Sequence, residues 1–380
     1  MKTRDSVVIA GGGAAGLAVA AMLDRRGIAS VVLERGSDVG TSWASRYESL
    51  RLNTPRLTST LARYRMPRRY GRWPTKHDMV EYLREYARRL DLDVRTGTEV
   101  RRVDRDDGGW RIETSTGDLT STSVVIATGH DRRPVMPEWP GREGFAGELI
   151  HAASYREPEP FRGKDVLVVS AANTGSEISF ELSQSGAARV RTAMRRPPPV
   201  LRREILGLPA HYSAIAADPL PDWVGDGMAR WAQRAMFGDL SAYGIGRSPV
   251  GLQTRVRREH QSPLVDSGFV AALRAGRIEL VPAVEGFEDA DVLLAGGERI
   301  RPEVVIVATG YSAELEPLVG HLGVLDSAGY PDVERGSDHA AAPGLFFIGY
   351  WATMSGQLSH MRTDARRIAR AVARRQGASA

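Results

Sequence analysis

A strand, a glycine turn and a helix near the N-terminus constrain this chain more than any other stretch in it. Ser6-Val7-Val8-Ile9-Ala10 reads as a short apolar strand. It runs directly into Gly11-Gly12-Gly13-Ala14-Ala15-Gly16, with glycine at the first, third and sixth positions of the dinucleotide-binding fingerprint. Gly11 allows the tight turn, Gly13 lets backbone approach a pyrophosphate, and Gly16 lets the following helix pack against the strand. An Ala- and Leu-rich helix runs from Ala14 to Arg26, Gly27 ends it, and Ser30 to Glu34 forms a second strand closing on an acid. The free N–H groups of the helix start suit phosphates, and Glu34 suits the hydroxyls of a ribose. The strand before and the helix after the glycines argue against a turn without a ligand. They do not say which dinucleotide binds.

The rest of the composition mainly excludes. The chain has 380 residues, 42% of them hydrophobic, enough for a real core and two domains. It has no cysteine, which removes disulfides, thiolate metal sites and a redox-active dithiol. That fits a cytoplasmic protein. No signal peptide and no apolar run of transmembrane length is expected. The net charge of +5 comes almost wholly from arginine, since Lys2, Lys76 and Lys164 are the only lysines. Basic and acidic residues interleave without a basic block, so nucleic acid is not an expected partner.

Along the chain, Gly40-Thr41-Ser42-Trp43, Arg46-Tyr47 and Leu50 to Pro55 read as a loop that touches ligand, or else as a surface crossover anchored by Trp43. Trp73-Pro74-Thr75 precedes a helix whose apolar positions are Met79, Val80, Tyr82, Leu83, Tyr86, Ala87 and Leu90; these aromatics read as core. Glu99 to Asp104 and Trp110 to Thr114 read as strands joined by a turn at Asp106 to Gly109. Val124 to Gly129 is a buried strand ending on a small-residue turn. Asp165 to Val169 and a helix from Ser176 to Gln184 make a second βαβ unit. Between them, Ser170-Ala171-Ala172-Asn173-Thr174-Gly175 occupies the place of a second fingerprint with only its last glycine. The next strand, Arg189 to Met194, ends on Arg195-Arg196, which suits a 2′-phosphate and hence NADP, or is simply more surface arginine. Residues from about 202 to 262 are the least regular, and their aromatics suit an active-site cover, ordinary packing or a homodimer surface. Val304 to Tyr311 nearly repeats Val124 to Gly129. Leu345 to Tyr350 is another buried strand, and a closing helix spans about Gln357 to Arg374, packed on the first domain.

Taken together, these motifs resemble the flavin-containing monooxygenases, and within them the YUCCA-like branch. The sharpest match is Phe145-x-Gly147-x-x-x-His151-x-x-x-Tyr155, which looks like the identifying sequence of that group. The Ala-Thr-Gly turns at Ala127 and Ala308, Gly344 to Gly349, Leu50 to Pro55 and Pro74-Thr75-Lys76 also look like family segments. The resemblance covers nearly the whole chain. It implies an α/β fold of two Rossmann-like domains, with an FAD domain over 1–157 and 303–380 and an NAD(P) domain over 158–302 inserted in it, itself carrying the irregular stretch 202–262. It implies FAD and NADPH as cofactors, and a small-molecule substrate oxygenated with O2 through a flavin C4a-hydroperoxide. Carried over by resemblance, Gly11, Gly13, Ala14, Gly16, Glu34, Arg35, Ser42, Trp43, Val100, Thr128, Gly129, Thr309, Gly310, Gly349, Gln357 and Leu358 serve the flavin nucleotide. Ser170, Asn173, Thr174, Gly175, Arg195 and Arg196 serve NADP. Asn53 is the expected catalytic residue, donating a hydrogen bond to the oxygen adduct or the nicotinamide. His151 is expected to be structural or a hinge, and no metal is expected.

Two departures from the family stand in the sequence. Tyr155 occupies a position where Baeyer–Villiger members carry Trp. Ser170 and Ala172 replace family glycines, and a methyl at Ala172 falls where backbone should approach the NADP pyrophosphate. The second departure keeps another reading open, an FAD-dependent dehydrogenase or oxidase with impaired NADPH use. A non-catalytic flavoprotein is the third.

Overall fold

The computed structural model describes residues 7–378, apart from 171, 197, 219, 247–249, 259–262, 352 and 354–355. Its framework is two sheets, parallel apart from one antiparallel edge strand, Asp338–His339. In the first, Val7–Ala10 lies between Ser30–Leu33 and Val124–Ile126, with Val94–Arg95 at one edge and Ala342–Phe347, then Asp338–His339, at the other. In the second, Asp165–Ser170 lies between Arg189–Ala193 and Val304–Ala308, flanked by Glu279–Val281 and Glu148–His151. Parallel strands are covered by helices on both faces, so they carry unbroken apolar runs. Val7, Val8, Ile9, Val124, Val125 and Ile126 accordingly have no exposed surface.

The expected division at 157 and 303 does not follow the sheets. Glu148–His151 and Val304–Ala308 lie on the first-domain side of that division yet pair with each other in the second sheet. The reason is the repeat itself. Val124–Ile126 flanks the first fingerprint strand just as Val304–Ala308 flanks the second, so the two similar runs serve equivalent positions in different sheets. Sheet membership therefore moves both crossings: the chain leaves the first sheet after Ile126 and returns after Ala308. The two crossings are hydrogen-bonded side by side, with Tyr311 opposite Pro134 and Ser312 opposite Arg133.

Local rules account for the helices. Ala14–Asp24 is apolar on all sides because it is buried from Ala14 to Leu23, with the final helix Gln357–Ala378 packed across it. That final helix turns Ile368, Ala369 and Val372 inward and Arg366, Arg367 and Arg370 outward. Lys76–Arg89 begins with a capping box in which the Thr75 hydroxyl accepts the Asp78 N–H and the Asp78 carboxylate accepts the Thr75 N–H. Its Tyr82 and Tyr86 are fully buried in the core, donating to Tyr64 O and Ala62 O. The stretch read as a plain loop after Glu34 contains a four-residue helix, Thr41–Ala44, entered through Gly40 at φ 71°. Within 202–262 lie a small hairpin, Glu204–Ile205 with Leu208–Pro209, and helices His211–Ala217, Asp222–Phe237 and Leu252–Arg258. Among the described residues no helix is long and apolar enough to cross a membrane.

Candidate active site

The C-terminal ends of the first sheet and the start of the second βαβ helix open on one cavity of about 730 Å³. That is where an open α/β sheet binds its ligands. On the first-sheet side the lining includes Gly11, Gly13, Ala14, Glu34, Arg35, Val100, Thr128 and Gly129. Ser42, Trp43 and Asn53 line it from the loop after the second strand, and Gly349, Gln357 and Leu358 from the C-terminal segment. Asn173 and Thr174 line it from the second βαβ unit. Gly16, Ser170, Gly175, Arg195, Arg196, Thr309 and Gly310 do not.

The glycine turn fits a dinucleotide by a simple steric test. A Cβ on Gly16 would lie 2.0 Å from Gly11 O, and one on Gly11 would lie 2.4 Å from Ala127 O. These two glycines are required by packing alone. A Cβ on Gly13 would meet nothing within 4 Å, so this backbone faces the open cavity. The helix it starts has no side-chain cap, which leaves its first N–H groups for a ligand. Glu34 is buried at the cavity wall. Its carboxylate accepts the Gly12 N–H at 2.7 Å and the Gly36 N–H at 2.8 Å, which fixes its direction and leaves lone pairs for hydroxyl donors. These residues suit the pyrophosphate and ribose of FAD.

The second fingerprint is built differently. The Ser170 side chain folds inward, where Oγ bonds the N–H and C=O of Ala172 at 3.3 and 3.1 Å. A Cβ on Gly175 would lie 2.2 Å from that Oγ, so the surviving glycine makes room for the serine. The Asn173 amide is occupied by Pro263 O at 2.9 Å and Val265 N at 2.7 Å. Ser170 and Asn173 thus shape the turn with their side chains rather than offer them to a ligand. Ala171, between them, lies outside the described residues. What remains for a phosphate is the uncapped start of the Asn173–Gln184 helix. Arg195 and Arg196 are exposed just past the second strand of this unit, off the cavity. Thr309 and Gly310 are displaced from the cavity because their strand belongs to the second sheet. Thr309 Oγ1 donates to Val135 O at 2.6 Å, beside the paired crossings.

Asn53 sits where the two sheets meet. Its Oδ1 accepts from Arg203 Nη2 at 2.7 Å, and its Nδ2 donates to Glu177 Oε1 at 3.2 Å. Glu177 also accepts from the Tyr47 hydroxyl. One turn on, Glu181 accepts from Ser49 Oγ and Tyr155 Oη, both at 3.0 Å. Two carboxylates of one helix therefore hold the loop after the second strand, and Tyr155 of the Phe145–Tyr155 motif joins them. The Glu204 carboxylate adds a further tie, accepting from Trp73 Nε1 at 2.8 Å and Arg72 Nη1 at 3.1 Å.

Burial pushes the Glu177 carboxyl above its ordinary range, opposed by Tyr47, Arg203 and Asn53. A carboxyl raised on folding contributes most below its unfolded pKa and loses that contribution as pH rises through its folded one. Glu177→Gln should therefore gain on the wild type in unfolding midpoint as pH rises above the ordinary carboxylate range. A midpoint difference that stays flat over that rise would show that burial does not govern this group.

Sequence reasoning missed Glu177, Arg203 and His211, which lies in the irregular stretch and lines the cavity with Ala210 and Ala214. Glu177 and Glu181 were within reach, being acids four residues apart on an expected helix. His151, expected to be structural or a hinge, is buried in the second sheet; its Nδ1 accepts the Ala153 N–H at 3.0 Å, and burial lowers its pKa. No group of acids and histidines among the described residues could hold a metal.

Fold and cavity together define a protein with two dinucleotide-binding units facing one cavity. Residues 8–202 match the family model of pyridine nucleotide-disulphide oxidoreductases. The chain is 30% identical to the probable indole-3-pyruvate monooxygenase YUCCA3 of Arabidopsis thaliana, over 90% of this chain and 81% of that protein. It is 34% identical to indole-3-pyruvate monooxygenase YUCCA8 of Oryza sativa subsp. indica, over 82% and 77% respectively. The flavin-containing monooxygenase from Stenotrophomonas maltophilia superposes with a TM-score of 0.75 at 25% identity, over 99% of each chain. The chain belongs to the YUCCA-like flavin-containing monooxygenases, FAD-dependent enzymes that use NADPH and O2 on a small molecule.

Proposed function

We propose that this monooxygenase acts on a small 2-oxo acid of the indole-3-pyruvate kind, with Asn53 as its catalytic residue. The observation that carries the site reading is the single cavity joining the Gly11–Gly16 turn, Asn53 and the start of the Asn173–Gln184 helix. The substrate class is supported by the names of the relatives and by Arg46, Arg202 and Arg203 in the cavity wall, which favour an anion. A cytoplasmic location remains part of the proposal, supported by the absence of cysteine.

When bound, FAD supplies the redox chemistry, accepting hydride from NADPH and activating O2 for transfer of one oxygen atom. The chain supplies position, polarity and shelter. The Gly13 backbone and the helix start at Ala14 would hold the pyrophosphate. Glu34 would accept from the ribose. Gln357 and Leu358, at the start of the final helix and in the cavity wall, would offer backbone N–H groups to the flavin. Asn53 has two amide hydrogens. One is given to Glu177, and the other is free to donate where negative charge develops on oxygen. Ala210, His211 and Ala214, at and just before the helix His211–Ala217, wall that end of the cavity and would help exclude water.

Anaerobic mixing of the purified protein with NADPH tests this reading. Flavin absorbance should bleach within seconds. On adding O2 and indole-3-pyruvate, product should form with little free peroxide. The self-satisfied side chains of Ser170 and Asn173 favour one other reading, a flavoenzyme reduced by its own substrate. Firmly bound FAD that a substrate bleaches and NADPH does not would establish it.

A further inference from the structure

We propose that Glu177 is a positioning residue that fixes the amide of Asn53 and ties it to the helix whose start lies at the nicotinamide-cofactor end of the cavity. The inference rests on the role proposed for Asn53. An asparagine amide is nearly symmetric in shape, and a half-turn about its last bond exchanges donor for acceptor. A catalytic donor must not make that turn. Here both sides of the amide are specified. Arg203 Nη2 can only donate, so it demands Oδ1, and the distance is 2.7 Å. Glu177 Oε1 accepts the amide hydrogen at 3.2 Å. The reversed amide would set Oδ1 against the carboxylate and NH2 against the guanidinium, losing both bonds in a partly buried place where unmet polar groups are costly. Arg203 and Glu177 are themselves 4.0 Å apart, so the three side chains close a ring.

The ring spans three separate parts of the chain. Asn53 follows the first nucleotide-binding unit, Arg203 opens the irregular stretch, and Glu177 lies on the Asn173–Gln184 helix. Asn173 and Thr174, the first residues of that helix, line the cavity. A ligand phosphate seated there bears on the same short rigid rod that carries Glu177. The donor is thus held in register by the element that would hold the nicotinamide cofactor.

This role needs an acceptor at Glu177, not a charge. Glu177→Gln keeps an amide oxygen there and should leave coupling near wild type. Glu177→Ala removes the acceptor and should raise the peroxide released per NADPH by about tenfold, less than the loss of a direct donor. Glu181→Gln, one turn away and not touching Asn53, should leave the ratio unchanged. The Glu177→Ala/Asn53→Ala double variant should match Asn53→Ala alone, because a residue acting through Asn53 adds nothing once Asn53 is gone. Equal uncoupling by Gln and Ala, wild-type coupling in Glu177→Ala, or a double variant worse than Asn53→Ala overturns the proposal.

A second cycle, on thermal unfolding of the FAD-loaded protein, needs no turnover. The double variant should lose less in midpoint than the two single losses summed. Additive losses break the link between the residues. If the wild type fails to oxidise NADPH, the monooxygenase reading fails by itself, and the unfolding cycle still decides whether Glu177 holds Asn53.

Discussion

Asn53→Ala should keep its FAD and its reduction by NADPH, yet release nearly all the reducing equivalents as peroxide. Product formation should fall by about 10²–10³-fold, the usual cost of removing one preorganised donor to a developing oxyanion. Retention of FAD is expected because the turn, Glu34 and the helix start that hold the nucleotide are separate from Asn53. The measurement is the ratio of peroxide to NADPH consumed, with flavin content read from the visible spectrum of the same sample. Unchanged coupling would remove Asn53 from the chemistry and leave it as a strut between Arg203 and Glu177.

Two glycines three positions apart should fail in opposite ways. Gly16→Ala drives a methyl into the Gly11 carbonyl, 2.0 Å from where the Cβ must sit. Backbone on both sides leaves little room to adjust, so the fold itself should lose about 1–3 kcal/mol. Gly13→Ala meets no protein atom within 4 Å. The apoprotein should melt like wild type, while the new methyl occupies the space meant for the pyrophosphate. Losing one hydrogen bond to a charged group costs about 1.5–3 kcal/mol, so FAD affinity should fall by about tenfold or more. Melting curves of apo and FAD-loaded protein separate the two cases. A Gly13→Ala protein that holds FAD as tightly as wild type would show that the pyrophosphate does not approach this residue.

How far the sequence could be read depended on how local each signal was. The glycine turn, the capped helix at Thr75 and the buried strands were legible because each is written in consecutive or regularly spaced residues. The assignment of Val304–Ala308 was not, since two apolar runs ending Ala-Thr-Gly carry no mark of the sheet they join. Thr309 and Gly310 moved off the cavity with it. Ser170 read only as a missing family glycine, and only the geometry shows its side chain turned toward Gly175. The ring of Asn53, Glu177 and Arg203 joins residues separated by 124 and 150 positions. No periodicity reports such a meeting, although the acids at 177 and 181 on one helix face were a hint that this face was not solvent.

The paired crossings between the sheets carry a mechanical consequence. Because Tyr311 and Ser312 run against Pro134 and Arg133, the two halves are joined by one ribbon rather than by two independent tethers. A ribbon bends across its width readily and resists sliding along its length, since sliding would break its ladder. A swing of one half on the other would turn about that line, as a book opens on its spine. The Arg46 guanidinium, 4.6 Å over the Tyr311 ring and bonded to Asp131 at 2.6 Å, sits against that spine. Asn53 and Glu177 lie on facing pages, so such a swing would act directly on their hydrogen bond.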